Sequence, residues 1–179
     1  LTSDQSGPKT NGSFSKSTLQ IVRIQKITDQ LNLNFNADGQ LSDKNLDSSQ
    51  KLSLGGSSGV RAYPSGEASG DAGYKYSIDA KYNIDQNYLN AFSNLSATVF
   101  YDYGMIRQYY NTSNVTMTTP NHYSLSDYGV GFGVTVCKVL DLKLMYAHTF
   151  GSNPAAINGK DFDGTSEQSR LLFLANINF

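Results

Sequence analysis

Hydrophobic and polar residues alternate along much of this chain with a period of two, the spacing of a β-strand with two unlike faces. The clearest case is 31–41, where Leu31, Leu33, Phe35, Ala37 and Leu41 share one parity and Asn32, Asn34, Asn36, Asp38 and Gln40 the other. Tyr74, Tyr76, Ile78, Ala80, Tyr82 and Ile84 alternate in the same way with Lys75, Ser77, Asp79, Lys81 and Asn83. Leu95, Ala97, Val99, Tyr101 and Tyr103 oppose Ser96, Thr98, Phe100, Asp102 and Gly104. Tyr128, Val130, Phe132, Val134 and Val136 oppose Asp127, Gly129, Gly131, Gly133, Thr135 and Cys137. Leu142, Leu144, Tyr146 and His148 form a further apolar row, and Leu171, Phe173, Ala175, Ile177 and Phe179 the last. The stretch Phe14 to Ile27 is strand-like in composition, but its alternation slips between Ile21 and Val22, which predicts a β-bulge there. Periodicity alone does not separate a soluble sandwich, whose polar rows meet bulk water, from a barrel, whose polar rows meet a wet lumen.

The connections make that choice. Long polar segments fall near Leu1 to Gly12, Ser42 to Asp71, Arg107 to Ser124 and Gly151 to Gln168; tight turns fall at Thr28-Asp29-Gln30 and Lys138 to Asp141, with Asp85 to Asn94 intermediate. Long loops at one end and short turns at the other are the asymmetry of outer-membrane barrels. The fold class expected is all-β, an antiparallel transmembrane β-barrel. Seven strands cannot close such a barrel without leaving backbone groups unpaired in hydrocarbon.

Composition sharpens the picture. Only 16% of residues are charged and 12% are aromatic, which suits a barrel better than a charged soluble surface, and no run approaches the roughly 20 apolar residues of a spanning helix. A net charge of -1 argues against nucleic acid as a partner. Cys137 stands alone, so an internal disulfide is excluded and a small buried or half-buried side chain is expected. His122 and His148 have no spaced partners for a metal site, and no serine sits in a nucleophile elbow, so neither an enzyme, a metal nor a cofactor is expected. Asp161-Phe162-Asp163-Gly164 is too incomplete for a calcium loop and reads as a solvated one.

The longest irregular stretch, 42–72, carries the candidate chemistry. It is too rich in Gly and Ser for a regular element, and its centre holds one cation, Arg61, between Val60 and Tyr63. Parity places Asp102 on the inward side of its strand, where a carboxylate needs a cation; Arg61 is the proposed partner, since guanidinium and carboxylate pair bidentately. The inward glycines 129, 131 and 133 leave room at the wall for a large side chain or a backbone, or else answer to sharp curvature.

Gly55-Gly56, Val60-Arg61-Ala62-Tyr63 and Gly70-Asp71-Ala72-Gly73 together resemble the sixth extracellular loop of the Omp85/TpsB outer-membrane transporter superfamily, whose signature is Val-Arg-Gly-Tyr/Phe. Phe100-Tyr101-Asp102-Tyr103-Gly104 is similar to its Phe-x-Asp-x-Gly strand motif. The chain departs from the pattern at Ala62, where the family usually has Gly. The Gly-Asp-x-Gly context points to the two-partner secretion branch, the haemolysin-activator type.

The resemblance implies a pore in the outer membrane of a Gram-negative bacterium that exports a large exoprotein, an adhesin, haemolysin or contact-dependent toxin. A barrel-assembly factor, or the barrel of a patatin-like lipase, is the alternative within the superfamily; a passive porin or adhesin would not dock its loop inward. It further implies that the chain, 1–179, is the C-terminal part of a barrel of about sixteen strands, with the natural N-terminus and POTRA domains upstream. Asp79 resembles an acidic residue that the family carries on this strand; a solvated face is the equal alternative. Tyr63 and Phe100 are expected around the Arg61–Asp102 pair, with the glycine-rich flanks as hinges. Phe179 resembles the terminal signal read by the barrel-assembly machinery, and lipid is the remaining partner.

Overall fold

The computed structural model of the chain describes residues 7–84 and 92–178. It contains β1 (Lys16–Lys26), β2 (Leu31–Ser42), β3 (Leu52–Ser53), β4 (Ser69–Gly70), β5 (Ala72–Asn83), β6 (Phe92–Arg107), β7 (His122–Val136), β8 (Leu140–Thr149) and β9 (Ser169–Ile177). Seven of these form one antiparallel sheet in the order β1-β2-β5-β6-β7-β8-β9, and β3-β4 is a small ribbon within the long loop. Most of the 85–94 connection and Phe179, the proposed assembly signal, lie outside the described residues.

The parities sort as expected from the alternation. Leu33, Leu41, Tyr74, Ile78, Tyr82, Val99, Tyr128, Val130, Phe132, Leu144, Tyr146, Leu171 and Phe173 are exposed on one face. On the other, Phe100, Asp102, Asp127, Met145 and Ala147 are buried. An apolar band on the outside of a barrel is solvated by lipid, so these residues satisfy the hydrophobic effect without a protein partner. Tyr76 stacks on Tyr103 with centroids 5.5 Å apart, and Tyr74 lies 6.0 Å from Tyr103, an outward tyrosine cluster of the kind that girdles barrels at a membrane interface.

Three local expectations are corrected. No bulge interrupts β1: its pairing with β2 runs without a break through Ile21↔Ala37 and Val22↔Asn36, so Val22 and Ile24 share the face of Asn36 and Asn34. The irregularity in the sheet lies in β6 instead, between Ser93 and Ser96, where Asn94 takes a φ of 52°; the extra residue at this bulge lets the strand start at Phe92, earlier than the alternation suggested. Cys137 is exposed and belongs, with Lys138 and Val139, to the three-residue connection between β7 and β8, not to an inward row. Cys137 and Lys138 have positive φ (51° and 61°), and Val139 N–H donates to Val136 O at 3.1 Å, closing the hairpin. The turn at 28–30 is as expected, with Thr28 Oγ1 accepting from the Gln30 and Leu31 amides.

Candidate functional site: an inward-folded loop on the sheet

The loop between β2 and β5 folds back over the polar face of the sheet. Asp47 caps a single 3-10 turn at Ser48–Gln50, and the β3-β4 ribbon then forms a stalk whose tip carries Arg61. The tip is held tightly within itself: Val60 N–H donates to Leu54 O (2.7 Å), and Gly56 N–H to Tyr63 O (3.0 Å). Glycine is required here for close approach. A Cβ at Gly59 would fall 1.8 Å from Leu54 O, and one at Gly55 2.1 Å from Pro64 O. The wall makes room in turn, since a Cβ at Gly104 would fall 2.6 Å from Leu54 Cδ2. Leu54, Val60, Ile106 and Leu125 are thereby fully or almost fully buried, each contributing about 1.5–3 kcal/mol relative to exposure.

Arg61 ends in a cluster of carboxylates. Its Nε donates to Asp102 Oδ2 and its Nη2 to Asp102 Oδ1, both at 2.7 Å, a bidentate pair. Nη2 also donates to Asp79 Oδ1 at 2.6 Å, and the Arg61 amide to Asp102 Oδ2 at 3.2 Å. The guanidinium lies 3.6 Å from the centroid of the Phe100 ring, a cation–π contact. That ring rests on Gly129, where a Cβ would come within 2.4 Å of Phe100 Cζ. Burial works against the charge of Arg61, but hydrogen bonds and the charges of Asp102 and Asp79 outweigh it and raise its pKa. Of the two readings of Asp79, contact with the arginine describes this structure.

The remaining motif residues have distinct places. Tyr63 is buried but turns toward the β8–β9 loop, lining a cavity with Thr149, Asn153 and Asp161. Burial, together with the carboxylates of Asp161, Asp127 and Glu67, pushes its hydroxyl up to about 12. Ala62 is fully buried with a negative φ, so alanine in place of the usual glycine meets no left-handed backbone strain. Gly70 passes close to the Arg107 carbonyl, 2.6 Å from where its Cβ would stand, and Gly73 close to that of Met105 at 2.3 Å. Asp71 does the most for the loops around the tip. Wholly buried, it accepts from the Leu46 amide (3.0 Å) and the Tyr110 amide (2.8 Å) and pairs with Lys51 Nζ (3.2 Å). Asp71→Ala should therefore loosen 43–51 and 108–111 together, at a cost of about 3 kcal/mol. Limited proteolysis would show new cleavage in both segments, and an unchanged digest would rule this out.

Contacts that the motifs did not announce complete the seat. Asp127 of β7 accepts a short hydrogen bond from the Ala62 amide. Arg170 of β9 donates from Nε to Ala62 O at 3.0 Å and from Nη2 to Asp163 Oδ2 at 2.6 Å. Glu67 accepts from the Phe162 amide at 2.6 Å and from Asn153 Nδ2, joining the tip loop to the β8–β9 loop. Asp161 and Asp163 are thus occupied with Asn153, Thr165 and Arg170. Of these residues only Asp127 was placed inward by parity, and none by a motif.

An antiparallel meander with a lipid-suited outer row, a polar inner row and a loop seated on that inner row is a segment of transmembrane β-barrel wall with an inward-folded loop. The haemolysin secretion/activation protein ShlB/FhaC/HecB family matches residues 2–134, well over half of the chain, and the chain belongs to that family. The heme/hemopexin transporter protein HuxB of Haemophilus influenzae strain 86-028NP is 37% identical over 120 residues, 60% of this chain and 20% of HuxB. HuxB of strain ATCC 51907 is 38% identical over 104 residues, 57% of this chain and 18% of that protein. CdiB from Escherichia coli has the same fold over 95% of this chain and 29% of its own, with a TM-score of 0.73 at 16% identity. The chain spans about a fifth of the length of the HuxB relatives it matches.

Proposed function

We propose that the chain is the C-terminal wall segment, with its inward loop, of an outer-membrane pore of about sixteen strands that exports a large partner exoprotein in two-partner secretion. The observation that carries this reading is the seating of Arg61 between Asp79 and Asp102 on the polar face: a loop of some thirty residues held inside a barrel occupies the path a translocating chain would take. Membership of a secretion and activation family supports export over assembly of other barrels, and relatives named as transporters support it over a lipase anchor. Identity to HuxB favours a cargo that handles haem or hemopexin over a toxin, because likeness to CdiB is at the level of fold. The exoprotein, the lipid of a Gram-negative outer membrane and the assembly machinery acting on the last strand are the partners in this reading.

Removing the tip tests it. In the complete transporter, replacing residues 54–68 by two glycines should leave an inserted barrel whose conductance in a planar bilayer is several-fold that of the parent, because the ribbon stalk and tip leave the lumen. Equal conductance in a correctly folded variant would place the loop outside the pore at rest, and a passive porin or adhesin would then be the better account.

A further inference from the structure

The loop tip is held in two chemically different ways. Arg61 is held on Asp102 and Asp79 by its side chain, with its own amide also on Asp102; Ala62, next to it, is held by its backbone alone. The amide of Ala62 points at β7 and donates to Asp127, while its carbonyl points at β9 and accepts from Arg170 Nε at 3.0 Å. Asp127 is fully buried and lies directly across from Asp102 in the β6–β7 register, so two acidic side chains stand side by side beneath the tip. One of its oxygens, Oδ1, has no hydrogen-bond partner in the described structure. A buried acid side by side with a second one disfavours the folded sheet. A small apolar residue at 127 would remove that cost, and what Oδ2 does in return is hold the tip.

We propose that Asp127 and Arg170 are positioning residues forming a second latch, which grips the main chain of Ala62 at its amide and at its carbonyl and keeps the tip seated independently of the Arg61 side chain. Arg170 also ties the latch to the β8–β9 loop through Asp163, so movement of that loop and release of the tip are mechanically linked. A backbone grip tolerates any side chain small enough for position 62, which accounts for an alanine at the place where the family usually has glycine. The inference rests on the reading that the tip is docked inside the pore.

The test uses hydrogen exchange of the Arg61 amide in the complete, membrane-inserted transporter, read at single-residue resolution by mass spectrometry. Its acceptor, Asp102, is untouched by the substitutions. Asp127→Ala and Arg170→Gln should each speed this exchange by about tenfold, the loss of one charge-assisted hydrogen bond. Exchange within β6 and β8 should be unchanged. Asp127→Asn, which keeps an acceptor oxygen and can turn its NH2 to Asp102, should stay within about threefold of the parent. Arg170→Gln alters a partly exposed side chain and guards against a misfolded Asp127→Ala. If the amide at position 61 is protected in the parent and accelerated by Arg61→Ala, but not by Asp127→Ala or Arg170→Gln, the arginine alone holds the tip and the latch is refuted while docking stands. An unprotected Arg61 amide in the parent would overturn the docked tip itself, and the latch with it.

Discussion

Arg61→Ala should reduce export of the partner exoprotein by at least about tenfold while leaving an SDS-resistant, membrane-inserted barrel. The argument is electrostatic. Removing one member of a desolvated pair costs about 3–5 kcal/mol, largely because the other charge is left buried. Here Asp102 is 1% exposed at its side chain and Asp79 15%, and water in the lumen screens part of the loss. A tenfold effect needs only about 1.4 kcal/mol of it. Arg61→Lys should fall between the parent and alanine, because an ammonium cannot pair bidentately with Asp102 and reach Asp79 as well. Asp102→Asn should be more damaging than Asp79→Asn, since Asp102 receives two side-chain bonds and the Arg61 amide. An exoprotein secretion assay beside a gel-shift measurement of folding decides the matter. Normal secretion by a folded Arg61→Ala variant would show that the docked tip has no part in export.

The second large effect is expected at Gly129, which the chemistry never touches directly. A Cβ there meets Tyr146 O at 2.1 Å and Phe100 Cζ at 2.4 Å. One of these obstacles is backbone of the neighbouring strand, which cannot swing aside, and the other is the ring beneath the Arg61 guanidinium. Overpacking of this kind costs about 1–3 kcal/mol, and the β-branched side chain of Gly129→Val should lie at or beyond the upper end. Gly129→Val should therefore lower the temperature at which the barrel loses its folded electrophoretic mobility and also unseat Arg61. Gly131→Ala is the control: its Cβ meets the flexible Met145 Cγ at 3.1 Å, and it should be close to the parent in both readouts. Equal behaviour of the two variants would mean that the Phe100 ring is not wedged against β7.

The pattern of faces was readable from the chain because lipid and lumen sort side chains along a strand; a single period-2 count locates the inward residues of β5, β7, β8 and of β6 beyond its bulge. The same count failed at Ile21-Val22. Val22 and Ile24 are apolar residues on the polar face of the sheet, exposed there, while the pairing of β1 with β2 runs on unbroken, so a broken alternation is not a broken register. Cys137 was misplaced by one residue for a related reason: alternation carries on into a turn, whereas positive φ at two successive positions has only a weak signature when the residues are Cys and Lys instead of Asn and Gly. Arg61 and Asp102 were legible as complementary charges inside a wall of known parity, and Asp79 only through a resemblance. Asp127, Glu67 and Arg170 were not, because each of them has a main-chain group among its partners. A backbone amide or carbonyl exists at every position, so no sequence motif records which one a side chain will find.

The sheet order follows the chain order, and each hairpin from β5 to β9 closes through neighbours in sequence. The bond from Arg170 to Ala62 is different in kind, since it joins groups 108 positions apart. Local hairpins pair early because little loop entropy opposes them, while the most distant contact waits for everything between. Arg170 becomes available only when β9 has joined the wall. Until then the tip lacks one side of its grip, so its final seating marks the moment at which β9 is in place beside β8, and a sheet without β9 is distinguished from one with it by the mobility of a single turn of chain.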